Sequence, residues 1–248
     1  MLLVVFLSFT LATGAAPMDV ALKATEAPNT FRAAFTVHLQ SARAERIYQF
    51  DPRLDPADRW QVISWRGEDD ELEEVGAEWA REPAPDGRLF PDDLRASLGS
   101  AVVAKDMGYA WKLSFRHLPS RNDGPFDVWA AERLNATAWL DPVGERLLRI
   151  DYKLPAPVRG PEGGRLMAYE QSYLLQTEPR WGMSYVASFA IALEARAAFK
   201  TLRRDYSAQI TNVEFFFASD EAERAFEAER ALPTHVPVSR DGLALAGR

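Results

Sequence analysis

Side chains able to do acid–base chemistry are few and scattered. The 248-residue chain holds three histidines, His38, His117 and His235, and no cysteine. His38 falls on the polar phase of an alternating stretch, and His235 lies near the C-terminal end. His117 precedes a segment carrying Asp123 and Asp127, so hydrolysis by a His–Asp pair is the acid–base combination the spacing offers. A solvated histidine at a strand end satisfies the same pattern. Lack of cysteine excludes disulfides, thiolate nucleophiles, thiolate metal sites and a Cys-linked lipid anchor. No Gly-x-Ser-x-Gly, His-Glu-x-x-His or glycine-rich phosphate loop is present. The carboxylates Asp69, Asp70, Glu71, Glu73, Glu74, Glu78 and Glu82 follow helical spacing, which suits a solvated face rather than a Ca²⁺ loop. The residues therefore predict no catalytic centre, no cofactor and no metal.

Charge narrows the partners. With 29 Lys and Arg against 36 Asp and Glu the net charge is −7, and the nearest basic cluster is Arg203-Arg204. Nucleic acid and anionic lipid surfaces are held by many cations together, so both are disfavoured. Hydrophobic residues make up 47% of the chain, enough to bury a real core.

Bulky residues recurring with period two offer a different chemistry, the holding of something apolar. Phe35 and Val37, Tyr48 and Phe50, and Trp111, Leu113 and Phe115 alternate with polar neighbours. Trp139, then Leu148, Ile150 and Tyr152, then Met167 and Tyr169, then Phe189 and Ile191 add further bulky residues to the same strand faces. Alternation of this kind predicts half-buried strands. Strands are expected at 31–40, 46–50, 60–65, 101–103, 109–118, 137–140, 146–154, 165–176 and 201–217. Segment 185–199 alternates as a strand does, although its alanines suit a helix; its strand neighbours favour the strand. Helices are expected at 19–27, 69–82, 91–98, 128–134 and 219–231. In 69–82 the residues Leu72, Val75 and Trp79 form a narrow apolar stripe, a candidate lid.

These elements predict a mainly β fold: one curled antiparallel sheet, an open or half barrel, with helices over its concave face. A bowl whose apolar lining exceeds what its helices can plug holds an apolar ligand, a lipid or acyl chain, without catalysis. The competing expectation is a scaffold domain of the envelope whose core is filled by its own side chains and which meets a partner protein through a sheet edge or the acidic helix.

Residues Leu2 to Ala12 form an apolar run interrupted by Ser8 and Thr10, followed by Thr13-Gly14-Ala15-Ala16-Pro17. The run is short for a membrane span and reads as a secretory signal cleaved after Ala15 or Ala16, although no Lys or Arg precedes it. The expected organisation is a signal over 1–16, one domain over 17–232 and a loose tail over 233–248.

The order of signal, short helix, three strands, inserted helical stretch and long meander resembles the LolA-like outer-membrane lipoprotein carriers. The hairpin Ala138-Trp139-Leu140-Asp141-Pro142 through Arg146-Leu147-Leu148-Arg149-Ile150 looks like that family's, and Tyr169-Glu170-Gln171 and Pro179-Arg180-Trp181-Gly182 look like elements of its relatives. The resemblance spans roughly Phe31 to Phe217 and implies a periplasmic half-barrel holding acyl chains on its concave face. No gating arginine matches a position here, so the resemblance implies a relative with another ligand rather than lipoprotein sorting.

Overall fold

The computed structural model describes residues 15–91, 103–117, 125–160, 163–197 and 200–231. The apolar leader run, the expected helix after Pro91, the start of the strand expected at 101–103 and the C-terminal tail lie outside them.

Eleven strands form one antiparallel sheet that does not close. In chain order they are β1 (Phe31–Ser41), β2 (Glu45–Phe50), β3 (Trp60–Arg66), β4 (Val103–Asp106), β5 (Trp111–Arg116), β6 (Asn135–Asp141), β7 (Arg146–Lys153), β8 (Val158–Arg159), β9 (Arg165–Thr177), β10 (Ser184–Ala197) and β11 (Lys200–Phe217). The sheet order is β3-β2-β1-β11-β10-β9-β7-β6-β5-β4, with β8 paired to β9. The last strand therefore inserts beside the first, joining a three-stranded meander to the longer one. Segment 185–199 is β10 over its described part; two flanking strands, β9 and β11, supply its backbone partners and override its helix propensity.

Helices α1 (Ala15–Lys23), α2 (Asp70–Arg81), α3 (Pro125–Ala131) and α4 (Asp220–Ala231) all pack on one face of the sheet. Leu72, Val75 and Trp79 of α2 press on Phe35, Val37 and Leu39 of β1. Ala21 and Leu22 of α1 cover Leu113, Ala138 and Ile150. Ala130 of α3 meets Leu166 and Leu193, and Phe226 of α4 packs with Phe31, Trp181 and Phe217.

Local chemistry fixes α2. Asp69 is its N-cap and accepts from the Glu71 N–H at 3.2 Å, while Ser41 Oγ donates to the same carboxylate at 2.7 Å. Burial acts to raise the Asp69 carboxyl. The Ser41, Leu72 and Glu71 donors and nearby Arg43 outweigh it and hold the group below its ordinary range. Buried Arg46 donates to the carbonyls of Glu45, Arg66 and Gly67 and, at 2.7 Å, to Glu73 Oε1, tying β2, β3 and α2 together. Gly76 lets the helix touch the sheet, because a Cβ there would lie 2.2 Å from Tyr48 Oη. After α2, a 3₁₀ turn at Pro85–Leu89 places Asp86 against Arg32, at 2.6 and 2.9 Å, and against the Ala33 N–H at 3.1 Å.

Candidate ligand-binding trough

Cross-strand register defines three rows on the helix-bearing face. Phe189 pairs with Tyr173, which pairs with Ile150. Tyr206, Ile191, Gln171 and Tyr152 form the next row, and Arg204, Leu193 and Tyr169 the third. Rows two residues apart are separated by about 6.6 Å, so the three span roughly 13 Å. Along this strip Tyr152, Tyr169, Gln171, Tyr173, Phe189, Ile191 and Tyr206 are each half-buried. On either side burial is deeper, with Leu72, Val75, Trp79, Val37 and Leu39 on one flank and Ala21, Leu113, Ala138, Leu140 and Ile150 on the other all 1% exposed or less, while Trp60, Tyr185 and Phe215 on the α2 flank and Trp111 on the α1 flank are half-buried. The strip runs between α2 on one side and α1 with α3 on the other, and is the candidate floor of a trough.

The floor is aromatic with one polar rung. Trp79 of α2 stacks on Phe189, with ring centroids 6.2 Å apart and planes at 14°. Phe189 meets Tyr173 at 6.0 Å and Tyr206 at 6.0 Å, and Tyr173 meets Tyr152 edge-on at 6.2 Å. Tyr169 Oη donates to Gln171 Oε1 at 2.7 Å, and the Gln171 amide donates to Tyr173 Oη. This rung satisfies the glutamine inside an apolar setting. Burial pushes the Tyr206 phenol up and keeps it neutral. Such a surface can hold an apolar chain by dispersion and area burial.

The predicted site residues fall into three groups. Tyr152, Tyr169, Phe189 and Ile191 belong to the floor. Phe35, Val37, Tyr48, Phe50, Leu113, Phe115 and Ile150 share its face but are buried under α2 or α1, together with Leu72, Val75 and Trp79 of the candidate lid; Trp111 packs half-buried at the α1 flank. Trp139 is on the other face: it pairs with Lys112 and Arg149, stacks on Tyr109 at 6.1 Å and donates Nε1 to Asp151 at 3.3 Å. Leu148 turns the same way, because β7 carries one extra residue opposite the Trp139–Leu140 step and presents Leu147 inward instead. Met167 sits at a second irregularity, where Leu166 takes the buried position. Tyr173, Gln171 and Tyr206 were missed as floor residues, although Tyr173 continues the Met167–Tyr169 phase and signals itself by it.

The helix-free face mixes polar and apolar side chains. A groove of about 700 Å³ crosses it, lined about equally by polar residues such as His38, Gln40, Ser172 and Gln209 and by apolar ones such as Leu148 and Leu174, and a smaller one of about 310 Å³ includes Trp139. His117 packs its ring 4.3 Å from that of Tyr152; Asp123, one of its two expected partners, lies outside the described residues. Among the described residues no group of three or more His, Asp or Glu side chains is placed to hold a metal ion, and no helix is long and apolar enough to cross a membrane.

Compared with known proteins, the chain matches no family model, and no curated protein or solved structure is significantly similar to it.

Proposed function

We propose that this chain is a non-catalytic holder of an apolar ligand, a lipid or acyl chain, exported to the periplasm by its N-terminal apolar run. The ligand lies in the trough over β9, β10 and β11, with α2 as a seated wall rather than a loose flap. One observation carries this reading: seven large side chains at the centre of the helix-bearing face are half-buried, while the residues directly beneath α2 and α1 on either side are fully buried. A self-contained core places its least accessible residues at mid-sheet. The open sheet with helices on one face also agrees with the order of elements that suggested LolA-like carriers, and the proposed relationship extends to that architecture and not to lipoprotein sorting.

Equilibrium titration of the purified protein with a fluorescent fatty acid tests it, with native mass spectrometry to detect co-purified ligand. Uptake at a single site is expected, and Phe189→Ser is expected to weaken it about tenfold or more by removing the ring that floors the trough. A protein that carries no ligand and takes up no probe contradicts the carrier reading. The complete burial of Leu72, Val75 and Trp79 favours a second reading, an envelope scaffold with a self-filled core, and that outcome would select it.

A further inference from the structure

We propose that the trough ligand is an amphiphile with an anionic head seated at Arg204, an inference that rests on the apolar-ligand reading above. Arg204 closes one end of the floor, in the row with Leu193 and Tyr169. Helix α2 runs along the trough edge: Glu71 in its first turn reaches Arg204, and Trp79, about 12 Å further along the helix axis, stacks on Phe189. The helix therefore matches the roughly 13 Å length of the floor, with the charge at one end and the aromatic cluster at the other.

The pairing at the charged end is poor. Arg204 Nε lies 3.6 Å from Glu71 Oε1, beyond a hydrogen bond, and that oxygen is buried with no hydrogen-bond donor. Several other arginines are met closely, and the loose pairs at Arg43 with Asp69, 3.4 Å, and Arg66 with Glu45, 3.8 Å, belong to largely exposed arginines. Arg32 reaches Asp86 at 2.6 Å, Arg46 reaches Glu73 at 2.7 Å, and Arg53 reaches both Asp51 and Glu214 at 2.8 Å. Even Arg203, one residue away on the opposite face, donates to Glu194 at 3.0 Å. Arg88, the other cation near Tyr206, is occupied by Glu82 and by the face of Trp79. Arg204 thus keeps a guanidinium fork beside an apolar trough with its donors unspent, the geometry that captures a carboxylate or phosphate through two parallel N–H···O bonds. Burial pushes the Glu71 carboxyl up, so the neighbour that would repel an arriving anion is also one inclined to take a proton.

Binding of lauric acid, lauryl phosphate and lauryl alcohol to the full chain, each by isothermal calorimetry below its solubility or micelle limit, tests the assignment. The acid or the phosphate is expected to bind about tenfold tighter than the alcohol, and the stronger of the two identifies the headgroup as carboxylate or phosphate. Arg204→Gln is expected to erase that margin while leaving the alcohol unchanged, Arg204→Lys to keep part of it, and Glu71→Gln to widen it. Thermal melts of each variant confirm that the fold is intact. Equal affinity for acid, phosphate and alcohol, or an equal loss for all three in Arg204→Gln, overturns the headgroup assignment and leaves the apolar reading standing. Failure of all three to bind overturns the apolar reading itself.

Discussion

Replacing Gly76 by alanine sets two effects of opposite sign against each other. Alanine in a helix interior is favoured over glycine by about 1 kcal/mol. At this position the new Cβ would sit 2.2 Å from Tyr48 Oη and 2.4 Å from its Cζ, where ordinary carbon contacts need about 3.5–4 Å. Tyr48 cannot step aside easily, because it is buried and stacked on Trp60 with centroids 5.1 Å apart. Helix α2 must therefore rise by about 1 Å, forfeiting a quarter to a half of the dispersion contacts of Leu72, Val75 and Trp79. Overpacking of this kind costs about 1–3 kcal/mol, and the weakened stripe adds to it, so the net effect is destabilisation by about 1–3 kcal/mol despite the better helix former. Urea unfolding followed by tryptophan fluorescence reads the change directly. Tyr48→Leu in the Gly76→Ala background is expected to recover at least 1 kcal/mol of coupling. A Gly76→Ala protein as stable as the parent, or more so, refutes the close seating of α2 on the sheet.

Other consequences follow from particular contacts. Asp86→Ala removes both Arg32 contacts and the acceptor of the Ala33 N–H, leaving partly buried donors unmet, and is expected to cost about 2–4 kcal/mol by urea unfolding; under 1 kcal/mol contradicts the role given to the 3₁₀ turn. Asp51, Asp69, Asp141, Glu194 and Glu214 are held below their ordinary ranges, Asp51 chiefly by Arg53, Asp141 by the Gly144 N–H, Glu194 by Arg203 and Glu214 by Arg53. Their contribution is complete above about pH 4–5 and is lost as pH falls through the lowered values, so the urea midpoint is expected to be flat from pH 5 to 7 and to fall below about pH 4. Burial-raised Glu71 works with the opposite sign, and Glu71→Gln is expected to leave this acid limb in place. Trp139→Ala, on the helix-free face, is expected to leave fatty-acid affinity within about twofold; a loss matching that of Phe189→Ser would move the site to the other face.

The alternation that marked β1, β2, β5 and β6 was legible because each has a buried and a more exposed face, and the apolar stripe of 69–82 with Asp69 before it marked α2. What alternation does not reveal is where a strand gains a residue. One extra residue in β7 at Leu148 reverses the phase between Leu147 and Ile150, and a single slip of this kind sends a whole run to the opposite face. That is why Leu148 reads as lining and stands on the helix-free face instead; Trp139 stands there by the ordinary alternation of β6, whose inward positions are the small Ala136 and Ala138 and Leu140. Asn212, with φ of 50°, marks a similar irregularity between β1 and β11, which breaks the phase joining Val213 to Ile210. The stripe of α2 was visible in sequence, but its depth of burial was not. Gly76 and Tyr48 are distant in sequence, and their contact decides that the helix is seated. Arg204 was legible as half of a basic pair; its isolation from Arg203 depends on the strand putting the two on opposite faces.

Photocrosslinking with a diazirine-bearing fatty acid, followed by peptide mass spectrometry, tests the central claim most directly. The trough account predicts adducts on β9, β10 and β11 at Tyr173, Phe189, Ile191 and Tyr206, competed away by unlabelled fatty acid. Adducts confined to the helix-free groove around Ser172, Ser188 and Gln209, or labelling that unlabelled fatty acid does not reduce, would contradict it.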